Sequence, residues 1–318
     1  MILMYHSVSR ERERRFLDPA STLSVELFEA QMRFLAKYRR VTTVAEIVRS
    51  LTEGRALAPG TVAITFDDGY RDVLEVAAPI LEKYDLPATL YLATGYVERG
   101  ENQWVDQLYL AVSSRTNNRL FVEGPNAREF NLERPEEVDA AYDLVRLAMI
   151  PMSWKERRTV LQSVRRQLKP WQSAPRLTLN WREVAKLIHR YPKFELSAHS
   201  RDHVDLATCN DATLHHELTA CVEDLELQLG VRPWHFSYPY GNYSAKAAHE
   251  VEALGFRSAA LTAPAFPVTP GTNRYALPRL SPPTNMSLFR FYTSGICPLT
   301  HELIEKINEL KFGVQRLP

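Results

Sequence analysis

The chain has 318 residues, 45% of them hydrophobic and 24% charged, with a formal net charge of +1. This is the composition of a folded protein with a large core, which argues against long disorder. The near-zero charge excludes a global attraction to nucleic acid or to a membrane surface.

Three cysteines, Cys209, Cys221 and Cys297, lack CxxC spacing. They argue against a disulfide framework or a thiolate zinc site and read as small buried apolar residues. The N-terminus, Met-Ile-Leu-Met-Tyr-His, has no basic n-region, long apolar stretch or cleavage site, and no apolar run is long enough to span a bilayer. The expectation is a cytoplasmic protein, soluble or at the inner membrane surface.

Ile2 to Tyr5 is too short for a helix and reads as a strand ending at His6. Ser9 to Ala20 is charged and irregular, a loop. Ser24 caps a helix whose apolar residues Leu27, Phe28, Phe34, Leu35 and Tyr38 share a face. Thr43 and Glu46 have capping-box spacing and open a helix that Gly54 closes. Thr61 to Phe66 is apolar and β-branched with no turn residue, a buried parallel strand. It stops at Asp67 and Asp68, where Gly69 frees the backbone to turn. Two adjacent carboxylates at the end of a buried strand are costly unless a metal or an arginine sits on them. Tyr70 to Tyr84 reads as a helix with Val73, Leu74, Ala77, Ile80 and Leu81 inward, and Ala88 to Ala93 as the next strand. This order predicts an α/β fold with a parallel sheet and right-handed crossovers.

From Glu98 to Pro175 the pattern breaks. The segment is polar and helix-rich, with turn clusters at 116–118 and 124–126 and no strand of comparable quality. It reads as a mainly helical insertion, at about 98–175, between two βα units of one domain spanning the whole chain. Arg146 to Lys169 carries Lys155, Arg157, Arg158, Arg165, Arg166 and Lys169 around Trp154. These read first as a solvated helix face. The second reading is a cap that meets an anionic substrate or a lipid headgroup, a peripheral membrane contact.

The alternation then resumes. Asn180 with Glu183 caps a helix through Ile188, and Phe194 to Ser197 is a strand ending at Ala198-His199. Asp211 to Leu229 is an amphipathic helix closed by Gly230, with Leu214, Leu218, Val222, Leu225 and Leu229 inward. His235 to Tyr238 is a strand ending at Pro239-Tyr240-Gly241, a helix runs from Ser244 to Gly255, and Ser258 to Leu261 is a strand. A proline-rich passage, Pro264 to Pro283, contains Leu277-Pro278-Arg279-Leu280, and Thr300 opens a last helix.

His6, Asp67, Asp68, His199, Ser237 and Tyr240 each close an apolar strand or directly follow one. In parallel α/β architectures the carboxyl ends of strands share one face, and that face carries the chemistry. Asp68, His199 and His203 make a candidate metal triad. The i, i+4 spacing lets both imidazoles meet one point. One carboxylate and two neutral imidazoles suit Zn2+, or Co2+ or Ni2+, with a coordination position left for water. His189, His215, His216, His235, His249 and His301 lack such company and read as structural or solvent-exposed. Asp67 is the candidate general base, alternatively a second metal ligand or an arginine-paired carboxylate. His6 is the candidate general acid, alternatively a buried rim histidine. The backbone N–H of Tyr240, after Pro239, could donate to an oxyanion, or Pro-Tyr-Gly could be a plain turn.

Three stretches, Thr65-Phe66-Asp67-Asp68-Gly69, His199-x-x-x-His203 and Ser237-Tyr238-Pro239-Tyr240-Gly241, resemble in order and spacing the first three motifs of the polysaccharide deacetylases, the NodB-homology or carbohydrate esterase family 4 group. The resemblance covers residues 1–97 and 176–283 and leaves the insertion unmatched. It implies a distorted (β/α) barrel of about seven parallel strands and metal-dependent removal of an acetyl group. Asp68, His199 and His203 would bind metal, Asp67 would be the base, and Tyr240 would supply the oxyanion N–H. Many members have an arginine where this chain has Ser237, and that arginine holds the base; here Arg279 is the candidate replacement. Many members also place the acid histidine in a C-terminal Leu-x-x-His, which is not found in the right place. The opening Leu3-Met4-Tyr5-His6 instead resembles the branch that deacetylates poly-N-acetylglucosamine and other bacterial surface glycans, where His6 matches the acid.

The resulting expectation is an N-deacetylase acting on an N-acetylated glycan or a lipid-linked oligosaccharide. Its rivals are a deformylase or amidase using the same site, and a non-catalytic glycan-binding protein. Trp104 and Asp106 in the insertion either shape the substrate choice or pack the insertion onto the barrel.

Overall fold

The computed structural model of the chain describes residues 1–124, 127–263 and 267–295. Seven strands, all parallel, form its centre: β1 (Ile2–Tyr5), β2 (Thr61–Phe66), β3 (Ala88–Leu92), β4 (Phe194–Ala198), β5 (His235–Ser237), β6 (Ser258–Thr262) and β7 (Leu277–Leu280). They run β1-β7-β6-β5-β4-β3-β2 around the sheet, and pairing of β1 with β2, from Ile2 against Ala63 to Tyr5 against Phe66, closes it into a barrel. A further strand, Arg40–Thr42, pairs with the first half of β2. Every residue of β1, β2 and β3 is buried, as expected for strands covered inside and out. Helices built on the predicted signals pack around them. Ser24 and Ser244 accept cap bonds from Leu27 and Ala247, and the Asn180–Glu183 capping box is complete. The Thr43 box is half formed, because Glu46 pairs with Arg49 instead.

Several elements depart from the sequence reading. The proline-rich passage contains β7, the strand that closes the barrel, and a helix at Met286–Tyr292. Proline inside a central strand argues against a strand, but the ladder from β7 to β1 begins only at Arg279, past Pro278. The supposed loop of residues 9–20 holds a short helix, Glu11–Arg14, and a 3₁₀ turn, Pro19–Ser21. Before it, Ser7–Ser9 pairs in parallel with Thr22–Ser24. Tyr38 is exposed, and Val73–Ala77 is a π-helical turn opening the helix that continues as Ala78–Lys83. Cys297, His301 and the helix expected from Thr300 lie outside the described residues. Cys221 is buried and Cys209 half-buried.

Within the insertion between β3 and β4, and before the helix Trp181–Arg190 that leads into β4, lie three longer helices, Trp104–Ser113, Pro135–Met149 and Trp154–Leu168. An antiparallel hairpin, Arg119–Val122 with Arg128–Asn131, joins the first two and was not expected. Each of its strands buries one side chain, Leu120 or Phe130, too little alternation to stand out from polar loop. These elements share an apolar cluster of their own, with Trp104, Leu108, Phe130, Val145 and Leu161 in it. Among the described residues no helix is long and apolar enough to cross a membrane.

Candidate active site

The carboxyl ends of the barrel strands meet at one mouth. β2 delivers Asp67, whose N–H donates to Tyr5 O at 2.9 Å, and then Asp68. β4 delivers His199, whose N–H donates to Leu92 O at 3.0 Å. His203 follows on a loop held from two sides. Glu217 accepts from the N–H groups of Arg201 and Asp202 at 3.0 and 2.7 Å, and Ser200 Oγ accepts from His203 N at 3.1 Å. Among the described residues six non-glycine residues have positive φ, and four of them, Asp68, Ser200, His203 and Tyr240, lie at this mouth. Strained backbone of this kind persists where the surroundings over-determine it, and it gathers at functional sites. Gly69 is obligatory. It has φ +88°, and a Cβ there would lie 2.4 Å from Leu92 Cδ1.

The two neighbouring carboxylates are treated differently. Arg279, from β7, grips Asp67 at both oxygens, with Nη1–Oδ1 2.7 Å and Nη2–Oδ2 2.6 Å. Arg279 also donates to Ser237 Oγ at 2.6 Å and to Thr65 Oγ1 at 3.2 Å, and Ser237 Oγ donates to Asp67 Oδ2 at 3.3 Å. Burial alone would raise the Asp67 pKa; the Arg279 guanidinium at both its oxygens overcomes this and holds the carboxyl below the usual range. Among the described residues no lysine or arginine pairs with Asp68, and its Oδ1 has no hydrogen bond. Burial, then the charges of Asp67 and Asp106, push its pKa well up.

That buried, unsatisfied oxygen faces two imidazoles, His203 Nε2 at 3.3 Å and His199 Nε2 at 3.6 Å. The candidate ligand atoms of Asp68, His199 and His203 lie within 4.8 Å of one another. His199 Nδ1 is 2.8 Å from Ser237 O, so Nδ1 carries the proton and Nε2 is left as the free donor atom. Burial lowers the pKa of His199 to about 4 and that of His203 well below its ordinary value, so both rings are neutral at pH 7. Two neutral imidazoles and a carboxylate without a cation of its own fit a divalent metal.

The remaining expected residues are close by. His6, Asp67, Asp68, His199, His203 and Tyr240 all line one cavity of about 510 Å³. Burial lowers the His6 pKa, against the opposing pull of Asp67. Tyr240 sits in a 3₁₀ turn, Pro239–Gly241, with φ +60°. Trp104, Tyr142 and Arg146 bring the insertion to the same cavity. Trp104 Nε1 donates to Tyr240 Oη at 3.0 Å, so this residue both packs the insertion on the barrel and lines the cavity. Asp106 is buried and accepts from Tyr70 Oη and Asp18 N, both at 2.8 Å.

Two residues escaped the sequence reading. Glu217 braces the loop between the two histidines although it sits on the inward stripe with Leu214, Leu218 and Cys221. Arg157, expected on a solvated face, is 1% exposed. The signal was its register: residues 157, 161, 164 and 168 form the buried stripe of that helix, and Arg157 is its first member.

The sequence matches the family model for polysaccharide deacetylase over residues 54–143 and 154–259. It is 37% identical over 92 residues, 29% of this chain, to YxkH of Bacillus subtilis, a protein assigned to the polysaccharide deacetylases; the match spans 30% of that relative's length. The fold is similar to the Streptococcus pyogenes deacetylase PplD, solved in complex with acetate, with TM-score 0.60 and 18% identity over 92% of this chain and 96% of that one. It is also similar to a de-N-acetylase from Aggregatibacter actinomycetemcomitans, with TM-score 0.57 and 16% identity over 92% and 98% of the two chains.

Proposed function

The chain belongs to the polysaccharide deacetylase family, a group of hydrolases, and on that premise we propose that it is a metal-dependent N-deacetylase, cleaving the acetamide of N-acetylated sugars in a bacterial surface polysaccharide or its lipid-linked precursor. The observation that supports this most directly is the company kept in one cavity: Asp68, His199 and His203, with no lysine or arginine among the described residues paired to the Asp68 carboxylate, beside an Asp67 kept ionised by Arg279. Asp68, His199 and His203 would hold Zn2+, and Co2+ or Ni2+ suit the same donors. When bound, the ion supplies a Lewis acid that acidifies water and polarises a carbonyl.

Asp67 takes a proton from the attacking water as its oxygen bonds to the acetamide carbon. The Arg279 pairing keeps Asp67 ionised and aimed, and it also makes Asp67 a weak base that serves only a strongly acidified donor. The Tyr240 N–H donates to the carbonyl oxygen as charge develops there. The C–N bond then breaks, His6 gives a proton to the leaving amine, and acetate departs. Burial holds His6 neutral at rest, so the proton that Asp67 takes from the water passes to His6 and from there to the leaving amine, which returns Asp67 to its ionised form. Trp104, Tyr142 and Arg146 form the sugar-facing wall. Lys155, Arg158, Arg165 and Arg166 are exposed on the insertion and would meet an anionic headgroup if the substrate is lipid-linked.

The test is release of acetate, against formate, from a panel of N-acetylated glycans and lipid-linked oligosaccharides with added metals. Asp67→Asn is expected to abolish acetate release with the metal still bound; retained turnover removes Asp67 from the role of base. Release of formate alone points to a deformylase. No release and no stoichiometric metal returns the glycan-binding reading.

A further inference from the structure

Arg157 is buried, yet among the described residues no carboxylate pairs with it. A buried guanidinium without a counter-charge is costly unless its donors are used. Here they are. Nε donates to Met149 O at 2.9 Å and Nη2 to Ile150 O at 2.7 Å. Nη1 donates to His203 O at 2.8 Å and to Asp202 O at 3.2 Å. The guanidinium lies over the rings of Trp104 and Tyr240, 5.2 and 5.9 Å from their centroids. One insertion side chain thus ties the end of the helix before its own, at Met149 and Ile150, to the segment that carries His203.

The same carbonyl receives a second donor. Tyr240 Oη donates to His203 O at 3.0 Å and itself accepts from Trp104 Nε1 at 3.0 Å. His203 has φ +52°. Its ring lacks the tether that His199 has, for among the described residues His203 Nδ1 has no hydrogen-bond partner while His199 Nδ1 is held by Ser237 O. Metal-binding imidazoles are ordinarily oriented through that second nitrogen. The orientation of His203 is left to its main chain and to the Tyr240 and His199 rings packed against it, 4.6 and 4.8 Å between centroids.

We infer that Arg157, backed by Tyr240 and Trp104, is a positioning residue for His203, fixing the carbonyl and with it the backbone from which the imidazole reaches toward Asp68. This rests on the proposed metal-binding role of Asp68, His199 and His203. It makes the insertion part of the catalytic apparatus rather than a wall beside it. Lysine cannot take over, because a point cation lacks the planar fork that reaches four carbonyls at once.

The experiment uses the full chain stripped of metal with a chelator, as wild type, Arg157→Lys and Tyr240→Phe. Zn2+ is titrated by calorimetry, and the thermal midpoint of each metal-free protein is recorded. Arg157→Lys is expected to weaken Zn2+ binding by about 10–100-fold and Tyr240→Phe by several-fold, with the metal-free midpoint of Tyr240→Phe close to wild type. A folded Arg157→Lys that binds Zn2+ as tightly as wild type overturns the inference, leaving Arg157 as a pin for the insertion alone. If Arg157→Lys does not fold, Tyr240→Phe decides: loss of affinity supports the inference and wild-type affinity overturns it. A wild-type chain that takes up no Zn2+ overturns the metal-binding role as well, so the two failures are separable.

Discussion

Asp67 is gripped at both oxygens by Arg279, while Asp68, one residue on, faces two neutral imidazoles and, among the described residues, pairs with no lysine or arginine. Removing one partner of a buried pair leaves the other charge stranded, at a cost of about 3–5 kcal/mol. Arg279→Met is therefore expected to lower stability by about that much and to cut deacetylation at least tenfold, because the unpaired Asp67 loses both its aim and its charge. Denaturant titration and acetate release read the two effects. The double variant Asp67→Asn with Arg279→Met should cost less than the sum of the single ones, since the charges vanish together. Asp106 gives a pH dependence of its own. Burial raises its pKa to about 7, against the hydrogen bonds from Asp18 N and Tyr70 Oη. Between the unfolded carboxyl value and about 7, the native state holds a proton that the unfolded chain has lost. Stability from this group is full at low pH and falls as pH rises through that window, by at most about 1.4 kcal/mol per unit. Asp106→Asn should flatten that slope, seen as a smaller fall of Tm between acid and neutral buffer than in wild type.

At the scale of elements, legibility followed burial on both faces. β2 and β3 were readable because each is a buried run bounded by turn residues. β7 was not, because Pro278 mimics loop chemistry and only the place of β7 between β1 and β6 makes it a strand. Arg279, named without its strand, proved to sit where β7 could aim it at Asp67. The pairing of Asp68 with two histidines was legible from strand ends and i, i+4 spacing. The bracing by Glu217 and Arg157 was hidden, because a charged residue on an apolar stripe looks like an interruption. The insertion hairpin hid for a related reason: one buried side chain per strand is below any periodic signal. Its Phe130 nonetheless belongs to a cluster separate from that of the barrel. Phe130→Ala should cost about 3–5 kcal/mol and speed amide exchange across the helices Trp104–Ser113, Pro135–Met149 and Trp154–Leu168. β1 to β3 should keep their protection. Equal acceleration in those strands would mean that the two clusters open as one unit.

Over the whole molecule, the three candidate ligands come from the end of β2, the end of β4 and the loop after it, so sequence-distant segments converge on one point. In the metal-free chain that point concentrates unfavourable terms: a buried carboxylate with its pKa pushed up, two imidazoles with theirs pushed down, and backbone in left-handed conformations. A cation that binds only the folded chain would relieve the electrostatic part and add its binding energy to folding. At a hundredfold excess of free ion over Kd that is about 2.7 kcal/mol, a rise in Tm on the order of 5 °C for a chain of this size. The chelated protein should thus melt below the Zn2+-loaded one, and His199→Ala should melt at one temperature with or without Zn2+. The increment should also shrink as pH falls, first through Asp68, whose raised pKa lets a proton compete with the ion for the carboxylate, while the imidazoles with depressed pKa values resist that competition longer than free histidine would. A Zn2+-dependent shift that survives His199→Ala undiminished would place the ion elsewhere in the chain.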